Sequence, residues 1–175
     1  MKTTRTLLIS AFVLTAMGGG VAVSAANGYG MTWTKTSSDA VYGVVDVGCG
    51  YTPGVANQCN PYTGDTPCAA LLPLLCFYDA GLSKPAGLIT SSNHEWAGGV
   101  VATTLPVAGN SFRRITDANR YCEQTFGGGW RVAEFHDGAQ WYFMAYGNVG
   151  NSANEARRRL WVDISDQPAG TCWTR

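Results

Sequence analysis

The chain has little charge and few histidines. Only 14% of its 175 residues are charged, two are histidine, and 12 basic residues balance 12 acidic ones. A protein that binds nucleic acid through its phosphates needs a basic surface, and this composition predicts none. The sequence also lacks the Gly-x-Ser-x-Gly and His-Glu-x-x-His motifs, so it carries neither common hydrolase signature.

A long apolar run is present only at the beginning of the chain. Lys2 and Arg5 precede the apolar stretch from Leu7 to Val23, and small residues follow it. This order is typical of a cleaved secretory signal. We therefore predict that residues 1–26 are removed and that residues 27–175 form a single domain, secreted or periplasmic, with no membrane span after cleavage. Retention of the apolar stretch as an anchor is the alternative.

All six cysteines lie in the predicted mature part. An even number of cysteines in an exported chain is typical of disulfide bonds. Zinc binding is the alternative, but no two cysteines have the CxxC spacing that zinc sites favour. We predict disulfides, no metal and no cofactor, and the residues alone leave the pairing open. The cysteines are Cys49, Cys59, Cys68, Cys76, Cys122 and Cys172.

Several elements follow from the pattern of apolar and turn residues. The β-branched segment 39–49 predicts a strand, and the Gly-, Pro- and Asn-rich segment 49–68 predicts a loop held by cross-links. A further strand is predicted over 95–106. Apolar residues at helical spacing predict a helix from Thr116, its N-cap, to Phe126, and Gly127 to Gly129 end it.

The remaining elements complete an α+β fold. A short extended stretch, 130–135, precedes Asp137, which is placed to cap a second helix over 137–147. Alternation from Leu160 to Ser165 predicts a half-buried strand. The prediction is a small mixed sheet with two helices, stabilised by disulfides, and a Cys-rich N-terminal elaboration.

The C-terminal part, 109–173, resembles the C-type lectin-like domains. ANRYCEQTFGGGWRVAEF matches that family's helix cysteine, its Gly-Gly step and its apolar strand, LWVDISD matches its Trp-Ile-Gly-Leu strand, and TCW its closing cysteine. The resemblance implies a lectin-like core over 109–175 that follows a strand and Cys-rich loop region over 27–108. It also implies a Cys122–Cys172 disulfide, with the four upstream cysteines paired among themselves.

The calcium motifs of that family are missing here. Asp163 stands where the family has Gly, and only Ser165 to Thr171 remains of its long loop. The Gln167-Pro168-Ala169 segment lacks the acid of the family motif. Because calcium needs about six to eight oxygen ligands, the resemblance implies the scaffold without a calcium-dependent sugar site.

The sharpest chemical cluster is Glu134, His136 and Asp137. In an extended stretch, Glu134 and His136 point to the same face, so they are candidates for general acid–base catalysis, or for a metal site together with His94. The structural alternative has Asp137 as a helix cap, His136 as an ordinary surface or half-buried side chain and Glu134 in solvent. We favour this alternative and assign no catalytic residue.

A polar loop, 147–159, is the predicted recognition surface. Its run Arg157-Arg158-Arg159 is a candidate for binding an anionic group, and a solvated run is the alternative. Among the aromatic residues, Trp130, Trp141 and Phe143 fit the core. Four others lie in polar or terminal surroundings, and any one of them is a candidate for an exposed binding ring: Trp33, Tyr51, Tyr62 and Trp173.

These observations predict an exported, non-enzymatic recognition or adhesion module on a lectin-like scaffold, which binds an extracellular protein or glycan without calcium. One alternative is a structural subunit that assembles with copies of itself. Another is a small exported hydrolase that uses Glu134 and His136. A buried His136 that is bonded to backbone would argue against the hydrolase. A large exposed apolar patch would favour assembly.

Overall fold

Strands dominate the computed structural model, which describes residues 28–50, 58–138, 140–150 and 159–175. These ranges contain eleven strands and a single α-helix, so the predicted α+β fold with two helices is wrong. The strands are β1 (Tyr29–Gly30), β2 (Thr32–Asp39), β3 (Val44–Gly48), β4 (Thr66–Pro67), β5 (Leu71–Leu72), β6 (Leu75–Asp79), β7 (Glu95–Thr103), β8 (Val107–Ala108), β9 (Arg131–Val132), β10 (Tyr142–Gly147) and β11 (Leu160–Trp161). The α-helix, α1, spans Ile115–Phe126, and short 3-10 turns span Gly109–Ser111 and Pro168–Gly170.

Seven strands form one sheet in the order β11-β2-β3-β10-β7-β6-β9. β10 and β7 are parallel, and the other neighbours are antiparallel. β1 pairs with β4 and β5 with β8 outside this sheet. The predicted strand over 95–106 is found as β7, whereas the predicted strand over 39–49 is a turn followed by β3.

The sheet closes on itself just after β9 and β11. The Asp163 N–H donates to the Ala133 carbonyl at 2.9 Å, and the Phe135 N–H donates to the Asp163 carbonyl at 3.0 Å. Sheet edges expose unpaired backbone groups, and this short parallel join pairs those of Ala133, Phe135 and Asp163. The closure also places Glu134 directly beside Asp163.

The interior of the closed sheet is the main core. Alternate residues of each strand point inward, and the Trp33 and Phe143 rings meet edge to face with centroids 5.6 Å apart. Trp33 is completely buried, so it is not the exposed aromatic residue that the sequence left possible. The core residues are Met31, Trp33, Val45, Val47, Cys49, Cys59, Leu75, Phe77, Val101, Ala133, Phe135, Phe143, Ala145, Val149, Leu160, Val162 and Ile164.

The predicted first helix is found as α1, which begins slightly earlier than expected. Its N-cap is Arg114, whose N–H donates to the Asp117 carboxylate at 3.3 Å. Gly127 has a φ of 111° and ends the helix as predicted. Ala118 and Cys122 are buried in a second core between α1 and the outside of the sheet.

The second predicted helix is a strand. The described residues of this segment include β10, whose Phe143 and Ala145 are buried in the interior. The two tyrosines of β10 alternate with these residues and therefore lie on the outer face. Apolar residues on both faces give no single helical stripe, and the segment is long enough for either element. Its position between β3 and β7 decides the outcome, because both its edges are hydrogen-bonded in the sheet.

Disulfide formation is confirmed, but the predicted pairing is wrong. The bonds are Cys49–Cys59, Cys68–Cys172 and Cys76–Cys122. Cys122 meets Cys76 because α1 packs on the outside of β6 and β9. Cys172 lies against Gly30, where any β-carbon would collide with its sulfur.

The predicted signal, residues 1–26, lies outside the described residues. Within the described part of the chain, no helix has the length and apolar character needed to cross a membrane.

The disulfides should differ in their effect on stability according to the loops that they close. Cys68–Cys172 spans 104 residues and Cys49–Cys59 spans 10. In the chain-entropy model, replacing the first pair by alanines should lower the free energy of unfolding by about 5 kcal/mol, and replacing the second by about 3 kcal/mol. Urea unfolding measures the difference, and peptide mapping without reductant checks the pairing. A Cys122–Cys172 peptide would contradict this fold.

Candidate functional site

The Glu134–His136 pair forms as the sequence suggested, but it belongs to the closure of the sheet. The Nδ1 atom of His136 lies 3.0 Å from Glu134 Oε1. The same carboxylate accepts the His136 N–H at 2.7 Å and the Ser165 N–H at 2.8 Å. Both carboxylate oxygens therefore hold backbone on the two sides of the join.

The electrostatics of Glu134 do not suit a general base. Burial raises its pKa, but the hydrogen bonds from His136 and Ser165 outweigh burial, so the pKa lies below its ordinary value of 4.5. A general base works best with a pKa near the working pH. The lowered pKa and the occupied oxygens both favour a structural role for this carboxylate.

Asp137 stabilises a turn at the same place. Its Oδ2 atom accepts the Glu134 N–H at 2.7 Å and an Arg131 N–H at 2.9 Å. Burial lowers the pKa of Arg131, and Asp137 more than offsets this effect, so the pKa is raised. The prediction that Asp137 caps a second helix is therefore wrong, because its carboxylate instead stabilises the turn that begins at Glu134.

A buried acid faces Glu134 across the join. Asp163 is 3% exposed, and it accepts the Thr171 hydroxyl at 3.0 Å and an Arg175 N–H at 2.9 Å. The pKa of Asp163 lies above its ordinary value of 3.8, chiefly because of burial. Arg175 and Thr171 oppose this shift, and the negative charge of Glu134 adds to it. These contacts tie the last residues of the chain to the closure.

Arg159, which ends the predicted recognition loop, acts as a clamp: its side chain hydrogen-bonds separate segments of its own chain. Its guanidinium donates to the Thr32 hydroxyl at 2.8 Å and to the Cys49 carbonyl at 2.9 Å. It also donates to the carbonyls of Thr32 and Gln58. Burial lowers its pKa, and Asp65, with a carboxylate oxygen 3.7 Å away, opposes this effect.

The structure therefore gives Arg159 contacts with its own chain. Arg157 and Arg158 lie outside the described residues, so anion binding by these two remains a prediction. The segment that they belong to, 151–158, is not described either.

A second carboxylate–histidine pair was missed by the sequence reasoning. The His94 Nδ1 atom lies 2.6 Å from Asp46 Oδ2. Asp46 is the one acid in the otherwise apolar strand β3 and is 4% exposed, whereas the side chain of His94 is 36% exposed. A lone acid among valines was a signal for this site, but its partner is 48 residues away.

The Asp46 carboxylate is only partly satisfied. Its Oδ1 atom has no hydrogen-bond partner among the described residues. Burial raises the pKa of Asp46, and Thr36 and His94 offset the effect only in part. The His94 ring stacks on Tyr142 with centroids 4.4 Å apart, and burial and Asp46 raise the pKa of Tyr142.

Half-exposed aromatic side chains surround this pair on the outside of β7 and β10. Met144 pairs with both Asp46 and Trp96, and Tyr146 pairs with Val100, so these side chains share the outer face. The Trp96 and Tyr146 rings meet edge to face with centroids 4.9 Å apart. We call the surface of Trp96, Tyr142 and Tyr146, with His94, the aromatic face.

The aromatic residues that the sequence favoured lie elsewhere. Trp173 is buried, Tyr62 is exposed, and Tyr51 lies outside the described residues. Of the predicted core residues, Phe143 is fully buried and Trp130 and Trp141 are half-buried against the two cores. The pairing of β7 with β10 assembles the aromatic face, and no local sequence pattern predicts that pairing.

Comparison of the chain with protein-family models, with curated proteins and with solved structures gives no match. The resemblance to C-type lectin-like domains therefore stays a prediction. Among the described residues, no group of three or more His, Cys, Asp or Glu side chains is placed to hold a metal ion.

Removing His94 should reveal the cost of burying Asp46. Near neutral pH, His94→Ala leaves a buried carboxylate unpaired and should lower the free energy of unfolding by about 1–3 kcal/mol. Because burial raises the pKa of Asp46 above 3.8, the loss should be smallest below that value and grow as pH rises through the folded pKa. Adding Asp46→Asn should restore most of the stability. Equal losses of unfolding free energy at pH 3 and pH 7 would contradict the role of His94 as the partner of ionised Asp46.

Arg159→Lys should destabilise the fold although it keeps the charge. Lysine cannot reproduce the fork of donors that reaches Thr32, Cys49 and Gln58, so buried carbonyls lose partners. We expect a loss of about 2 kcal/mol in urea unfolding. The control is Arg120→Lys, at an exposed position of α1, which should change stability by under about 0.5 kcal/mol. Equal effects of the two substitutions would argue against the clamp.

Proposed function

We propose that this chain is an exported recognition module that binds its ligand through the aromatic face, and that Glu134 and His136 are structural. The observation that carries the proposal is the half-exposed set of Trp96, Tyr142 and Tyr146 on the outside of a sheet that already has a complete interior core. Tyrosine and tryptophan combine a large apolar area with a polar end, and they are enriched where proteins bind ligands.

The outside of the sheet is used in two ways. Over β6 and β9 it is covered by α1 and joined to it by the Cys76–Cys122 bond. Over β7 and β10 it presents the aromatic face. The surface under α1 forms a second core of the fold, whereas the aromatic face leaves large rings partly exposed to water.

The rings of the aromatic face are held in place. The Trp96 indole N–H donates to the Leu82 carbonyl at 2.7 Å, and the Tyr142 hydroxyl donates to the Gly50 carbonyl at 3.2 Å. Side chains fixed before binding lose less entropy when a ligand arrives. The disulfides support such rigidity, and together with the predicted signal they favour an oxidising, extracellular or periplasmic setting.

Self-assembly is a second candidate. Leu71, in β5, and Leu105, two residues before β8, are 70% and 79% exposed. Where such side chains form one contiguous patch, they mark contacts between subunits. The size of the purified chain in solution, measured by sedimentation with and without Leu71→Ser, would show whether these residues join copies.

The test of the proposal is a binding screen with the oxidised chain 27–175 against extracellular glycans and proteins. Trp96→Ala and Tyr146→Ala should each weaken a genuine ligand by at least about tenfold, the worth of one buried aromatic contact. His136→Ala is the control and should leave binding near wild type. Circular dichroism confirms folding of each variant.

Two results would overturn the proposal. One is binding that neither Trp96→Ala nor Tyr146→Ala affects. The other is a hydrolytic activity of the chain that His136→Ala abolishes while the fold is intact.

A further inference from the structure

Asp46 occupies a position that the stability of the fold does not explain. It lies among valines on β3, it is almost completely buried, and one of its carboxylate oxygens has no partner among the described residues. A neutral side chain at this position would avoid the cost of burying an acid. Buried, partly satisfied acids with a specific charged partner are characteristic of functional sites.

What Asp46 does is orient His94. When Asp46 is ionised, its carboxylate can only accept, so the 2.6 Å contact then places a proton on His94 Nδ1. The second ring nitrogen, Nε2, is then unprotonated in the neutral imidazole and is free to accept a hydrogen bond. The Tyr142 ring, stacked on the imidazole, fixes its plane.

The chemistry of the surface defines the ligand. Flat, half-exposed rings suit a ligand with apolar C–H faces, and the Nε2 atom of a neutral, Nδ1-protonated His94 suits a ligand that donates a hydrogen bond. The negative charge of Asp46 disfavours an anionic ligand, and among the described residues no group of three or more His, Cys, Asp or Glu side chains is placed to hold a metal cation. An uncharged, polyhydroxylated ring meets all these requirements.

We infer that the aromatic face binds a neutral saccharide, with His94 accepting a hydrogen bond from a sugar hydroxyl and Asp46 acting as the positioning residue. This inference rests on the proposed function and names its ligand class. The rings of Trp96 and Tyr146 contact the apolar face of the sugar. No calcium takes part in this arrangement.

The two histidines of the chain provide a matched comparison. His94 and His136 are equally exposed, at 36%, and each has its Nδ1 atom near a carboxylate. Only His94 belongs to the aromatic face. Their ring signals can therefore be followed together by NMR while one probe is added.

The experiment titrates the oxidised chain 27–175 with two panels: neutral oligosaccharides built from hexoses and N-acetylhexosamines, and anionic sialylated or sulfated ones. We expect a neutral oligosaccharide to shift the His94 ring signals and leave those of His136 unchanged. The double variant His94→Phe with Asp46→Asn keeps a stacked ring and removes the buried charge, so it should fold and bind that sugar about tenfold more weakly. His136→Phe should bind like the wild type.

Each other outcome is decisive. Binding of anionic sugars only, or of neutral sugars unaffected by the double variant, would overturn the saccharide inference. Capture of a protein ligand in a manner that depends on Trp96, with no sugar bound, would overturn it while leaving the proposed function intact. If no ligand binds the aromatic face, both the saccharide inference and the proposed function are wrong.

Discussion

The short parallel join between residues 133–135 and Asp163 is the constraint on which the rest of the structure depends. It turns a seven-stranded sheet with two open edges into a closed sheet with an interior. The Glu134 carboxylate holds both sides of the join through the amides of His136 and Ser165. A cluster that looks catalytic in the sequence is therefore explained by the need to fix irregular backbone where two edges meet.

Closure also determines which surfaces remain for binding. The interior is filled by side chains, with Trp33 and Phe143 at its centre, so the proposed function needs a binding surface on the outside of the sheet. α1 covers one part of the outside, and the part over β7 and β10 carries the aromatic face. The two carboxylate–histidine pairs differ accordingly: Glu134 accepts two backbone N–H groups besides its contact with His136, whereas the Oδ1 atom of Asp46 has no hydrogen-bond partner among the described residues.

The sequence predicted those features that local patterns determine. The spacing of Ala118 and Cys122 predicted α1, Gly127 predicted its end, and the even number of cysteines predicted disulfides. Features that depend on distant neighbours were missed. β10 has apolar residues on both faces, which suits a buried strand as well as a helix, and the Asp46–His94 contact joins residues 48 apart. The predicted disulfide pairing is wrong because the partner of Cys122 depends on where α1 packs, and no local sequence pattern determines that position.

Native-state hydrogen exchange at the join tests this account most directly. The amides of Phe135 and Asp163 should exchange only through global unfolding, at a rate that matches the stability of the whole domain. Glu134→Ala should speed exchange at His136 and Ser165 far more than it lowers global stability. Rapid exchange at Phe135 and Asp163 in the wild-type chain would show that the sheet is open, and it would contradict the structural role given to Glu134.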